Sequence, residues 1–134
     1  MPERLGDRHP LRVLVVEDNG VNQKVMLAML KHLGYRADLA VDGVEAVEAV
    51  RGSSYDVVLM DLQMPRLDGI AATAQILAEH DARRRPRIIA ITANAFDHDR
   101  AACLAAGMDD YVTKPVKIEI LEAALLKATR IAVE

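Results

Sequence analysis

Apolar and polar positions along the chain fall into two alternating kinds of segment. Leu11-Arg12-Val13-Leu14-Val15-Val16, Asp56-Val57-Val58-Leu59-Met60 and Ile88-Ile89-Ala90-Ile91 are short and almost wholly apolar, the pattern of strands covered on both faces. Asp110-Tyr111-Val112-Thr113 is a further short strand-like run, and the more polar Tyr35 to Val41 suits an edge strand. Between these runs the apolar residues recur at helical spacing. Val21, Val25, Met29 and Leu33, with Met26 and Leu30 beside them, predict a buried stripe on a helix over Val21–Leu33, and Gly34 stands where a left-handed cap would end it. Further helices are predicted over Val44–Val50, Ile70–Glu79, Asp99–Ala105 and Ile118–Ile131, the last burying Ile118, Leu121, Leu125 and Ala128.

Five strands alternating with five helices imply one doubly wound α/β domain, a parallel sheet between two helix layers. The expected division is a leader over 1–10, the domain over 11–131 and a short tail over 132–134. With 51% hydrophobic and 28% charged residues the chain has the composition of a globular domain. Aromatics are only 3%, so Val, Ile, Leu, Met and Ala must fill the core. A net charge of −3 offers no basic footprint for nucleic acid. No run approaches the ~20 apolar residues of a membrane span, and cytoplasmic residence is the default expectation. Cys103 is the single cysteine and sits among alanines and a leucine, which reads as core packing. The four histidines are scattered over polar segments and suggest no ligand set.

Right-handed crossovers place the carboxyl end of every strand on one rim, where the chemistry of such folds is sought. There the polar residues gather. Glu17 and Asp18 follow the first strand, Asp61 the third, Thr92 the fourth and Lys114 the fifth. Two unit charges ~4 Å apart repel by roughly 4 kcal/mol at an effective dielectric of 20. Three converging carboxylates must therefore protonate or hold a cation. A hard divalent ion, Mg2+ above all, fits oxygen donors of this kind. With Lys114 as a second positive charge, the set suits phosphoryl transfer, Asp61 attacking in line and Thr92 donating to a phosphoryl oxygen.

The motifs VVEDNGVNQ (Val15 to Gln23), LMDLQMPRLDG (Leu59 to Gly69), ITANAF (Ile91 to Phe96) and DDYVTKPV (Asp109 to Val116) follow one another at specific spacings. In these the chain resembles the receiver domain of two-component response regulators, especially receivers attached to hybrid sensor histidine kinases, over about Leu11 to Ile131. The resemblance implies a flavodoxin-like sheet of order 2-1-3-4-5. It implies that Asp61 is the phosphoacceptor and that Glu17, Asp18, Asp61 and the backbone carbonyl of Gln63 hold Mg2+ (or Mn2+). Thr92 and Tyr111 match the switch pair, Lys114 matches the phosphoryl-binding lysine, and a cis bond is implied at Lys114-Pro115.

As partners the resemblance implies a histidine kinase or histidine phosphotransfer domain as donor and a downstream protein, with no direct nucleic acid or membrane contact. The chain itself is expected to be a monomer or weak dimer. Helix one near Asn22 to Met26 is the expected docking face, and the surface of helix four, strand five and helix five is the expected output. Gln63 and Asn94 flank the site and could influence water attack on the phosphoryl bond. Three other readings compete: an aspartyl phosphatase resembling the haloacid dehalogenases, a receiver-like module that is never phosphorylated, and a flavodoxin-like cofactor carrier. The first usually carries an acid/base Asp where Gln63 stands, and the complete set Glu17, Asp18, Asp61, Thr92 and Lys114 speaks against the second. The third lacks a Gly-rich phosphate loop after the first strand.

Overall fold

Strands β1 (Val13–Val16), β2 (Ala37–Ala40), β3 (Val57–Asp61), β4 (Arg87–Thr92) and β5 (Asp110–Thr113) pair in parallel in the order β2-β1-β3-β4-β5. The structure is a computed structural model that describes residues 4–62, 69–81, 84–92 and 97–128, with the side chains of 97–100 outside it. Among those residues the helices are α1 (Leu5–Arg8), α2 (Gly20–His32), α3 (Gly43–Gly52), α4 (Gly69–Glu79), α5 (Asp97–Ala105) and α6 (Ile118–Leu126).

Alternation along the central strands divides the core into two layers. Val13, Val15, Val57, Leu59, Ile89 and Ile91 meet Met26 and Leu30 of α2 and Leu121 and Leu125 of α6. Their neighbours Leu14, Val16, Val58, Met60, Ile88 and Ala90 face α3, α4 and α5, where Cys103 is buried as packing. Each fully buried aliphatic side chain contributes roughly 1.5–3 kcal/mol, so strands covered twice are anchored firmly and hold their carboxyl ends at one height. No described helix is long and apolar enough to cross a membrane.

Asn19 caps α2 by accepting from the backbone N–H groups of Val21 and Asn22, and Asp42 caps α3 by accepting from Glu45. Gly34 and Gly107 take φ +98° and +101° after α2 and α5, the left-handed conformation that glycine adopts without steric penalty. The Lys114-Pro115 peptide is cis.

Several expectations need correction. The buried stripe of α2 runs through Met26 and Leu30 to Leu33, whereas Val21 and Val25 are 71% and 48% exposed. The first turn of α2 is rotated so that Asn22 and Gln23 reach Glu17, which carries the two valines outward. β2 is shorter than predicted, α5 begins at Asp97, and α6 stops at Leu126, with Ile118 only half-buried. A sixth helix, α1, lies in the stretch read as leader. Leu5 is buried, Gly6 N–H donates to Leu33 O at 2.7 Å, and Tyr35 Oη donates to His9 O at 2.6 Å. His9 Nε2 also hydrogen-bonds Ala128 O at 2.5 Å, tying the segment to the end of α6.

Candidate functional site

The strand ends bring Glu17, Asp18, Asp61, Thr92 and Lys114 to one rim. Backbone pairing continues past the strands and keeps these residues level: Glu17 N donates to Ala40 O at 3.0 Å, Leu62 N to Ile91 O at 3.2 Å and Lys114 N to Thr92 O at 2.7 Å. Asp61 pairs in register with Ile91, which sets Thr92 one residue beyond it on the next strand. Asp61, Glu17 and Thr92 are buried, Asp18 is exposed, and Lys114 is half-buried.

One carboxylate oxygen from each of Glu17, Asp18 and Asp61 lies within 4.8 Å of the others. Lys114 Nζ stands 3.5 Å from Glu17 Oε2 and 3.5 Å from Asp61 Oδ2. One ammonium cannot balance three carboxylates, two of them buried, so the cluster keeps a net negative charge unless a cation joins it. The donors are all hard oxygens and the exposed Asp18 leaves a solvent-facing side, so the residues fit a divalent ion that retains waters.

Tyr111 is half-buried on β5, in register with Ala90, two residues short of Thr92 along the neighbouring strand. It is therefore close to Thr92 yet packed against the second core layer. Gln63, Met64 and Asn94 lie outside the described residues.

Two contributions to the site were not read from the sequence. Gly69 opens α4 directly behind Asp61, and a Cβ there would collide with the Asp61 carbonyl oxygen. The segment returning from the β3 loop can lie so close only because this position lacks a side chain. The other is the first turn of α2, where Asn22 Nδ2 donates to Glu17 Oε1 at 3.0 Å and Gln23 Nε2 donates to Glu17 O at 2.7 Å. The only sequence signal was a pair of amides five and six residues past Glu17.

A cleft of about 210 Å³ opens beside Glu17 and Lys114, lined by Val25 and Met26 of α2 and by Pro115 and Val116. Of the two exposed valines of α2, Val25 is the one that lines it.

The family model for the response regulator receiver domain matches residues 13–126. The hybrid signal transduction histidine kinase H of Dictyostelium discoideum is 42% identical over an alignment of 130 residues that covers 94% of this chain and 9% of that protein. The chain thus spans under a tenth of that curated relative. The receiver domain of a Pseudomonas aeruginosa PAO1 sensor histidine kinase, crystallised with a magnesium ion in its active site cleft, is 49% identical with a TM-score of 0.80, covering 87% of this chain and 95% of that one. The co-crystal structure of the Saccharomyces cerevisiae phosphotransfer protein Ypd1 with the receiver domain of Ssk1 matches at 32% identity and a TM-score of 0.78, covering 86% of each chain.

Proposed function

The chain belongs to the response regulator receiver domain family, and on that premise we propose that it accepts a phosphoryl group from a phosphohistidine onto Asp61. The observation that carries this reading is a buried Asp61 carboxylate sharing Lys114 with Glu17, inside a group of three carboxylates. Glu17, Asp18 and Asp61, with the backbone carbonyl of Gln63, would hold Mg2+ (or Mn2+). When bound, the ion supplies positive charge to the oxygens of the incoming phosphoryl group.

An Asp61 carboxylate oxygen attacks phosphorus in line. The P–N bond to the donor imidazole breaks, its electron pair leaves with the ring, and an aspartyl phosphate remains. Lys114 pairs with a phosphoryl oxygen and Thr92 donates its hydroxyl to another. The chain catalyses its own phosphorylation and dephosphorylation only.

The donor is a histidine kinase or histidine phosphotransfer domain that docks on α2 from Asn22 to Met26. Exposed Val21 and Val25 and the adjoining cleft support this face, since apolar surface next to a reactive rim suits a protein partner. Phosphorylation adds about two negative charges at the rim. Thr92 moves toward them, Tyr111 rotates into the vacated space, and the α5–β5–α6 surface changes its affinity for a downstream protein. The test is incubation with a phosphorylated histidine phosphotransfer domain: label should move to the chain and fail to move to Asp61→Asn. Equal labelling of both proteins would overturn the assignment.

A further inference from the structure

We infer that Asn22 is a positioning residue that sets the metal affinity of the rim by holding the Glu17 carboxylate, an inference that rests on the metal-binding reading above. The geometry divides that carboxylate between two elements. Oε1 accepts from Asn22 Nδ2 at 3.0 Å and from Asn19 N at 3.3 Å, both at the start of α2. Oε2 faces Lys114 Nζ at 3.5 Å, beyond the end of β5. Gln23 Nε2 fixes the backbone of the same residue at 2.7 Å.

A glutamate has three side-chain torsions, and among the described residues this carboxylate is held, besides Asn22, only by the longer contact from Asn19 N–H and by Lys114. Without the amide of Asn22, Lys114 is the dominant charged partner left near it. Glu17 would then turn further toward the ammonium and away from Asp18 and Asp61. With the amide in place, one oxygen is committed to α2 and the other stays available to the cluster, directly or through a water. Groups that hydrogen-bond a metal ligand commonly change metal affinity by about 10–100-fold when removed. Asn22 lies between Val21 and Val25 on α2, so the helix that bears the proposed docking face also holds a member of the acidic set.

The test is a Mg2+ titration by amide chemical shift or calorimetry on four proteins: the natural chain, Asn22→Ala, Glu17→Ala and the double variant. Asn22→Ala should weaken Mg2+ by about tenfold and lower the melting temperature of the metal-free protein only modestly, because the buried Glu17 carboxylate loses one donor and keeps Asn19 N–H and Lys114. In the Glu17→Ala background the same substitution should change Mg2+ affinity little, since its effect passes through Glu17. A merely structural role would weaken binding equally in both backgrounds. Asn22→Leu, which keeps the shape and removes the donor, repeats the measurement should the alanine variant fold poorly. Unchanged affinity in Asn22→Ala, or equal losses in both backgrounds, overturns the inference while leaving the metal site standing. A natural chain that takes up no Mg2+ overturns both.

Discussion

Replacing Asp61 with Asn removes one negative charge from the rim and keeps the size and hydrogen-bonding capacity of the side chain. The cluster oxygens lie within 4.8 Å of one another, and even at that outer separation each repulsion of Asp61 with Glu17 or Asp18 is worth about 3.5 kcal/mol at an effective dielectric of 20. Its attraction to Lys114 Nζ at 3.5 Å is worth about 5 kcal/mol on the same scale. The two repulsions exceed the attraction by about 2 kcal/mol, and screening at the exposed Asp18 reduces this to about 1 kcal/mol. Asp61→Asn should therefore melt about 3 °C above the natural chain in EDTA. Saturating Mg2+ should reverse the order, because a ligand at about 100 times its Kd stabilises the native state by about 2.7 kcal/mol and the variant lacks one ligand. Thermal melts followed by circular dichroism, with EDTA and with Mg2+, measure both. A variant that melts lower in EDTA, or that keeps its advantage at saturating Mg2+, would refute the electrostatic argument.

Thr92→Ala should still accept a phosphoryl group, but amide shifts on α5, β5 and α6 should no longer respond to it; a full response would break the proposed coupling. Leu5→Ala should cost about 2 kcal/mol in urea denaturation, since Leu5 is 4% exposed and part of the core; an unchanged midpoint would mean that α1 adds nothing to stability. Burial pushes the Tyr35 hydroxyl up to about 12 from its ordinary 10.0, with Arg8 opposing the shift and Glu122 adding to it. The folded state thus favours the neutral phenol, so this stabilisation is whole below the ordinary value and is lost as pH climbs through about 12. Urea midpoints should fall across that interval and fall less steeply in Tyr35→Phe; an identical slope in both proteins would remove Tyr35 as a cause.

The sheet was legible because three strands are apolar on both faces, a pattern that only a sandwiched strand tolerates. The location of the site was legible for a related reason: Asp61 and Thr92 each end an apolar run, Lys114 follows the last strand-like run, and the parallel topology turns those strand ends into one rim. The rotation of α2 was not. Val21-Val25-Met29 and Met26-Leu30-Leu33 are adjacent stripes of similar hydropathy, and the choice between them depends on amide contacts from Asn22 and Gln23 to Glu17. α1 was missed because four residues are too few to show a period, and its docking rests on one buried apolar side chain, Leu5, and on hydrogen bonds that join Gly6 and His9 to residues distant in sequence. The role of Gly69 needs the three-dimensional return of the chain behind Asp61, which no local pattern encodes.

Incubation of the intact chain with acetyl phosphate and Mg2+, read by intact mass beside Asp61→Asn, tests most directly whether Asp61 is the nucleophile of this rim. A gain of one phosphoryl group that is labile to hydroxylamine, requires Mg2+ and disappears in Asp61→Asn is the predicted result. A gain of the same size in the variant, or none in the natural chain with Mg2+ present, would contradict it.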